Sequence, residues 1–241
     1  MKRIAISIIA LFSLVDFTYA HEEITPFNVR YYGSFRKIIQ SAMLDGVIGL
    51  EHALSAPHIY AVGEIKNAEG EITVHDGTVW LNYGEDGISK SINRIPHGEE
   101  AMQLVTAQVE DWEETIIPKN MSDTELRNFM LDRANKSGLN TKIPFPFLVE
   151  GNMKDLVWHV LDGADFEPSG QGKQLLFKKL VEYREHTSAL LVGFCSAEIQ
   201  SEITRPGESW HVHVIFKNEK NTGHIDTFSV AKGSRLRLPV K

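Results

Sequence analysis

Three histidines near the C-terminal end of the chain have a spacing that suggests metal chemistry. His211 and His213 are two residues apart in an apolar stretch, and His224 follows after the polar segment 217–220. Side chains two residues apart on a strand project from the same face. Imidazole nitrogen is a common ligand of Zn²⁺, and three-histidine sites leave a position open for water or substrate. The pattern therefore predicts one zinc-type ion, Zn²⁺, bound in an open site.

A β-hairpin would bring the three rings together. The apolar pattern predicts strands over residues 209–216 and 223–230, and a turn centred between them places His213 opposite His224. Directly opposed side chains have Cβ atoms about 5 Å apart. A lone His-x-His pair is weak evidence, because a histidine on a strand is usually a structural or exposed residue. The third histidine across the turn is what favours a metal site.

The same register places Asp226 opposite His211. Asp226 would then orient His211 through the second ring nitrogen, as carboxylates beside metal ligands do. The alternative is that Asp226 is an ordinary solvent-exposed strand residue.

The remaining pattern predicts an α+β fold built from short strands and a few helices. Helices are expected over residues 35–44, from the Ser122–Glu125 capping box to about residue 134, and over residues 173–183. Strands are expected over residues 58–65 and 190–194, and a hairpin with its turn at Asp76-Gly77 joins residues 71–75 to 78–83.

These elements predict two β-rich sub-domains with mixed or antiparallel sheets. The boundaries are residues 1–20 for a signal peptide, 21–115 for the N-terminal sub-domain, 116–145 for a helical connector and 146–241 for the C-terminal sub-domain. The metal site lies on the hairpin of the last of these.

The first twenty residues have the features of a secretory signal peptide. Lys2 and Arg3 precede an apolar stretch over residues 4–15, and Ala20 follows in a small-residue cleavage pattern. We therefore expect an exported protein, periplasmic or secreted, with no membrane association after cleavage. An uncleaved membrane anchor is the alternative, which the shortness of the apolar stretch disfavours.

Composition limits the class of partner. The net charge of −7 argues against nucleic acid and anionic lipid surfaces. The one cysteine, Cys195, follows an apolar run and is expected to be a buried structural thiol. The hydrophobic content of 42% is that of an ordinary globular protein. A homodimer is a further expectation for this chain.

The histidine segment resembles the zinc site of bacterial α-acetolactate decarboxylases. His211-Val212-His213 followed by Gly223-His224-Ile225-Asp226 carries the main likeness. Ala189-Leu190-Leu191-Val192-Gly193-Phe194 and Pro206-Gly207 are similar to segments upstream of that site. In the N-terminal half, Val62-Gly63-Glu64 with Gly70-Glu71 and Asp76-Gly77 looks like the family's Leu-Gly-Thr and Asp-Gly-Glu segments. The resemblance covers most of the chain after residue 20.

The resemblance implies a metal-dependent lyase that converts 2-hydroxy-2-methyl-3-oxobutanoate (2-acetolactate) to acetoin and CO₂ without an organic cofactor. Loss of CO₂ leaves an enediolate, whose negative charge a Lewis acid stabilises. Glu71 stands at the position of the family's catalytic glutamate, which would return a proton to carbon. Without the resemblance, Glu71 reads as an exposed carboxylate at the start of a strand.

The sequence departs from the family pattern in two places. His159 stands where the family carries an arginine, and histidine is a poor replacement for a bidentate carboxylate clamp. Arg94 and Arg205 are the next candidates for that cation. The family also continues past the position of Lys241 to a further glutamate.

We therefore expect a decarboxylase that acts on a small hydroxy-keto acid and is weaker than an intact family site. The alternative is a family relative that keeps the metal and binds or processes another small hydroxy acid. A metal-assisted hydrolase is a third possibility.

Overall fold

The computed structural model describes residues 27–85, 87–169, 172–198, 202–204 and 208–240. The predicted signal peptide, Arg205 and the Pro206-Gly207 pair lie outside these residues. Within the described ranges, none of the helices has the length and apolar character needed to cross a membrane.

Antiparallel strands make up most of the described chain. The three α-helices are α1 (Phe35–Ser41), α2 (Leu50–Ala53) and α3 (Asp123–Lys136). The strands of the N-terminal half are β1 (Arg30–Tyr32), β2 (Ile48–Gly49), β3 (Ile59–Ile65), β4 (Gly70–His75), β5 (Thr78–Glu85), β6 (Ile88–Ile92) and β7 (Glu100–Gln108). Those of the C-terminal half are β8 (Trp112–Ile116), β9 (Met121–Ser122), β10 (Phe145–Ser169), β11 (Gly172–Cys195), β12 (Trp210–Phe216), β13 (Asn221–Val230) and β14 (Arg235–Pro239).

The N-terminal strands form one antiparallel sheet in the order β1-β7-β3-β4-β5-β6, with β2 beside β7. The predicted hairpin between β4 and β5 is confirmed, with His75 paired to Thr78. Its two turn residues have positive φ angles of 47° for Asp76 and 73° for Gly77. A two-residue turn that follows the right-handed twist of the strands requires such angles at both positions, which is why an Asp-Gly pair predicted it.

The C-terminal strands form a second antiparallel sheet in the order β8-β14-β10-β11-β12-β13-β9. An additional pairing between β10 and β13 closes β10, β11, β12 and β13 into a ring of strands. The expected α+β class with antiparallel sheets and a few helices is therefore confirmed. The two sheets share one hydrophobic core, in which Val62 and Val105 of the first sheet join Phe147, Leu191 and Val214 of the second.

Helix α3 begins at the predicted capping box. The Ser122 side chain accepts a hydrogen bond from the backbone N–H of Glu125, and the Glu125 carboxylate accepts one from the backbone N–H of Ser122. Leu126, Met130 and Ala134 lie on its buried face. The predicted division of the chain at residues 115 and 145 stays a prediction; β8 pairs with β14 in the second sheet.

The predicted helix over residues 173–183 is wrong, because this segment is part of the long strand β11. It pairs with β10 from Ser169 onward, so the backbone hydrogen bonds are made between strands. Leu175 and Phe177 pack against a small cluster that contains Ile38 of α1. The alternation of these two residues has the period of a strand, and tertiary pairing outweighs the helix propensity of the lysines and leucines around them.

Cys195 is buried at the end of β11, as expected, and forms no disulfide. Burial raises the pKa of the Cys195 thiol to about 12, so it is a neutral packing residue at physiological pH.

Candidate metal centre and active site

The three histidines of the C-terminal hairpin converge between the two sheets. The predicted register is confirmed, because His213 of β12 lies opposite His224 of β13. The ring centroids are 4.9 Å apart for His211 and His213, 5.1 Å for His211 and His224, and 5.5 Å for His213 and His224. All three side chains are buried, with His213 fully inaccessible to solvent.

A chain of hydrogen bonds fixes the tautomer of His213. Nδ1 of His213 lies 2.9 Å from the Thr73 hydroxyl, which lies 2.6 Å from the Thr222 hydroxyl. Thr222 in turn lies 2.7 Å from the carbonyl oxygen of Val214. A carbonyl only accepts and each hydroxyl has one hydrogen, so Thr222 donates to Val214, Thr73 donates to Thr222, and His213 Nδ1 donates to Thr73. The lone pair of His213 therefore lies on Nε2.

The environment also keeps His213 neutral. Burial lowers its pKa well below the ordinary value, and the neighbouring imidazoles of His211 and His159 lower it further, against a hydrogen bond with the backbone of Ile72. A neutral imidazole with a free Nε2 lone pair is the form in which histidine binds a metal ion.

The spacing of the ring nitrogens fits a common metal ion. Nε2 of His213 lies 3.1 Å from Nε2 of His211. Two nitrogen ligands bound tetrahedrally at about 2.0–2.1 Å are about 3.3 Å apart. The same spacing suits one N–H···N hydrogen bond, so the distance is compatible with a metal but does not require one. The donor set and the tautomer of His213 therefore fit a zinc-type ion held by His211, His213 and His224.

Two buried carboxylates of the first sheet face these rings. Glu71 of β4 has Oε2 at 3.7 Å from His213 Nε2, and the backbone N–H of Leu161 donates to its Oε1 at 3.2 Å. Glu64 of β3 has Oε1 at 3.5 Å from His211 Nε2. Glu71 is fully buried, so it is not the exposed strand-end residue that its local sequence suggested.

Glu64 was missed as a candidate site residue. It lies directly opposite Glu71 in the β3–β4 pair, so the two side chains project from the same face. Pairing the predicted strands over residues 58–65 and 71–75 across their short connection would have placed Glu64 beside Glu71.

The expected contact between Asp226 and His211 is wrong. After His224, β13 turns from β12 to β10, and the pairing skips Asp226 because Trp158 lies opposite Ile225 while Val157 lies opposite Thr227. Asp226 instead approaches His159, with Oδ2 at 2.8 Å from Nδ1.

His159 is a fourth imidazole in the cluster. It lies opposite His224 in the β10–β13 pair, and its Nε2 is 4.0 Å from Glu71 Oε1. One ligand atom from each of His159, His224 and Asp226 lies within 4.8 Å of the other two, so this trio could also hold a cation.

Gly223 allows β13 to approach β10 closely enough for these contacts. A Cβ at this position would lie 2.5 Å from the His159 carbonyl oxygen and 2.5 Å from the Trp158 ring. Any side chain here would push β13 away from β10, and His224 away from His159.

Residues 31–238 match the sequence family described as alpha-acetolactate decarboxylase. This chain belongs to the alpha-acetolactate decarboxylase family. The match spans both sheets and every residue of the histidine and carboxylate cluster.

Solved structures of this family have the same fold. The alpha-acetolactate decarboxylase of Bacillus subtilis strain 168 is 11% identical, with a TM-score of 0.66 over 88% of this chain and 85% of that one. A Staphylococcus aureus protein of unknown function, similar to alpha-acetolactate decarboxylase, is 12% identical, with a TM-score of 0.65 over 86% and 83%. The acetolactate decarboxylase of Bacillus subtilis subspecies spizizenii is 12% identical, with a TM-score of 0.63 over 88% and 85%. No curated protein matches this chain significantly.

A cleft of about 160 Å³ opens beside the cluster of histidines and carboxylates. It lies where β12 and β13 diverge, and its lining includes Trp210, Val212, His224 and Asp226. His224 is the most exposed of the four imidazoles, at 7%. Solvent and small molecules would therefore meet the site at His224 and Asp226 first.

Arg94, an alternative candidate for the substrate-binding cation, does not belong to the imidazole cluster. Arg94 lines a separate cleft with Glu69, Tyr83 and Glu99, away from the four imidazoles. Lys179 of β11 lies nearer, with Nζ at 3.6 Å from Asp226 Oδ1.

Proposed function

We propose that this protein is a metal-dependent lyase that converts 2-acetolactate to acetoin and CO₂. The observation that carries the proposal is a buried cluster in which the ring centroids of His211, His213 and His224 lie 4.9–5.5 Å apart and the Glu71 carboxylate lies 3.7 Å from His213 Nε2. Membership of the alpha-acetolactate decarboxylase family supports the choice of reaction.

His211, His213 and His224 would hold the metal, with zinc as the first candidate. When bound, such an ion supplies a Lewis acid that stabilises negative charge on the substrate oxygens. The Thr73 contact at Nδ1 of His213 keeps the Nε2 lone pair directed at that position.

Glu71 would donate the proton that carbon needs after the loss of CO₂. Loss of CO₂ breaks a carbon–carbon bond and leaves its electron pair on carbon, so one proton must be added to form acetoin. The Leu161 N–H holds Glu71 Oε1, which leaves Oε2 on the side of His213. A carboxyl group fixed in this way can deliver the proton to the same carbon in each turnover, and water restores it.

His159 would position the substrate or Glu71. Asp226 accepts a hydrogen bond from His159 Nδ1, which turns Nε2 towards Glu71. His159 is also the observation behind a second candidate function. A family member with histidine at this place could bind or process a different small hydroxy acid, since the guanidinium that grips a carboxylate in two places is replaced by a single ring nitrogen.

The expected export of the chain and its pairing as a homodimer remain part of the proposal. The sequence of residues 1–20 supports export, and the reaction would then take place outside the cytoplasm.

The test is acetoin release from racemic 2-acetolactate by residues 21–241, with and without a chelator. Chelation is expected to abolish the activity and added Zn²⁺ to restore it. Glu71→Gln should lower kcat by about 10²–10⁴-fold while keeping the metal, and Glu110→Gln, which changes an exposed carboxylate, should behave as wild type. Metal-loaded protein that releases no acetoin but binds 2-acetolactate or a related hydroxy acid would favour the second candidate.

A further inference from the structure

The Glu64 carboxylate lies against the ring of His211, deep between the sheets. We propose that Glu64 is a fourth protein ligand of the metal, so that the site consists of three imidazoles and one carboxylate. This inference rests on the proposed metal site at His211, His213 and His224 and adds a ligand to it. Glu64 is 2% exposed and lies near the C-terminal end of β3, where every residue is buried.

The distances support a direct bond to the ion. Glu64 Oε1 lies 3.5 Å from His211 Nε2, and His211 Nε2 lies 3.1 Å from His213 Nε2. Ligand atoms that share one ion at about 2.0–2.2 Å are separated by about 3–4 Å. Glu64 Oε1 is therefore as near to His211 as a shared ion requires, and nearer than Glu71 Oε2 is to His213, at 3.7 Å.

Charge balance points the same way. Glu64 and Glu71 lie directly opposite each other on adjacent strands, and both are buried. Like charges in that arrangement repel, and buried charges persist where they are paired or coordinate a metal. Three neutral imidazoles leave the charge of a divalent ion unchanged. Glu64 as an ionised ligand would offset one of its two charges, while Glu71 carries the proton that it delivers to carbon.

Gln103 provides a second observation that indicates a ligand beside Glu64. Gln103 of β7 lies directly opposite Glu64 on its other side, so the two side chains project from the same face. Gln103 is fully buried, and neither its amide nitrogen nor its amide oxygen has a hydrogen-bond partner within the described chain. Buried amides are almost always paired, so a group that the chain itself does not supply is expected beside Gln103 and Glu64.

A fourth ligand has a consequence for the choice of metal. Four protein ligands and two oxygens of a chelating hydroxy-keto acid make six. First-row ions that accept octahedral geometry, such as Mn²⁺ or Co²⁺, suit that number better than tetrahedral Zn²⁺. We therefore expect Co²⁺ to support at least as much activity as Zn²⁺.

The experiment compares metal binding by the full mature chain of wild type, Glu64→Gln, Glu110→Gln and His213→Ala. Affinities for Zn²⁺ and Co²⁺ are measured by competition with a chromophoric chelator, and the visible absorption of the Co²⁺ protein reports its ligand set. Glu64→Gln is expected to lower affinity by more than the roughly 10–100-fold that loss of an outer partner causes, and to shift the Co²⁺ bands. Glu110→Gln is expected to match wild type.

Two results would overturn the inference while leaving the metal site intact. One is wild-type affinity in Glu64→Gln when His213→Ala has lost the metal. The other is weaker binding with an unchanged Co²⁺ spectrum, which makes Glu64 a positioning residue for His211. Wild-type protein that binds no metal would instead remove the proposed function itself.

A metal-loaded crystal structure of wild type gives the answer even if Glu64→Gln does not fold. Glu64 Oε1 is expected at about 2.0–2.2 Å from the ion. A Glu64 carboxylate that stays more than about 3 Å from the ion excludes it as a ligand.

Discussion

Nδ1 of His159 lies 2.8 Å from a carboxylate oxygen of Asp226, which joins β10 to β13 beside His224. A carboxylate at this distance holds the ring proton on Nδ1 and leaves Nε2 facing Glu71, 4.0 Å away. The pair therefore fixes both the tautomer and the direction of the His159 imidazole, which the sequence predicts to stand at the family's arginine position.

Asp226→Asn is expected to lower kcat/KM for 2-acetolactate by about 10–100-fold with no change in metal content, because the amide no longer fixes the tautomer of His159. Acetoin formation and elemental analysis measure the two effects. Asp155→Asn is the matched control, since Asp155 accepts hydrogen bonds from Ser229 and Tyr183 at an exposed position on the same strands. Loss of metal in Asp226→Asn would assign the ion to His159, His224 and Asp226 instead.

His159→Arg is expected to lower KM for 2-acetolactate by about tenfold, which corresponds to about 1.4 kcal/mol. A guanidinium grips a carboxylate through two parallel hydrogen bonds, and Asp226 is placed to orient it. His159→Gln keeps a polar group of similar size without the charge and serves as the comparison. If both variants lose activity equally, residue 159 does not occupy the place of a carboxylate-binding cation.

The pairing of the site histidines could be predicted because it depends on residues that are close in sequence. His213 and His224 flank a short polar turn, and the register of a hairpin follows from its turn. Asp226 lies only two residues further along β13, yet its partner could not be predicted. The strand changes neighbours there, and that change depends on β10, which is more than sixty residues away in sequence.

The helix predicted within the long strand β11 was wrong for a related reason. Leu175 and Phe177 pack against α1 and not against a helix neighbour, so the local pattern of lysine and leucine was misleading. Glu64 was overlooked because its role follows from its partner on β4. A glutamate in an otherwise apolar strand was the available signal, since a lone carboxylate is rarely buried without a counter-charge or a metal.

Metal removal should destabilise the fold as well as stop the reaction. A ligand present at 100 times its Kd stabilises the native state by about 2.7 kcal/mol, which for a chain of this size raises Tm by about 5–10 °C. Thermal melts with and without chelator are expected to differ by that amount in wild type and in His186→Ala, and to coincide in His213→Ala. Elemental analysis should find about one metal ion per chain in the first two proteins. Superimposable melts of wild type would contradict the prediction.

Thr73→Val is expected to weaken metal binding by about 10–100-fold, because the Thr73 hydroxyl holds the proton on Nδ1 of His213. The substitution keeps the shape of the side chain, so a change in affinity reports on the hydrogen bond. Chelator competition provides the measurement. Thr106→Val, at a buried position of β7 in the same sheet, is the control. Equal affinities in the two variants would show that the tautomer of His213 is fixed by another group.

Gln103→Met is expected to stabilise the metal-free protein and to impair its function. Both amide atoms of Gln103 are buried without a hydrogen-bond partner within the described chain, and such a group costs about 1–3 kcal/mol. Methionine has a similar shape and needs no partner, so the free energy of unfolding in the presence of chelator should rise by about 1 kcal/mol or more, with Tm higher by about 2–4 °C per kcal/mol. Gln108→Met is the control on the same strand, because Gln108 accepts a hydrogen bond from Asn28 and donates one to the carbonyl of Pro57. That variant should be no more stable than wild type. A lower Tm for Gln103→Met would mean that an ordered water satisfies the amide, whereas a higher Tm combined with a raised KM for 2-acetolactate would place Gln103 against the substrate.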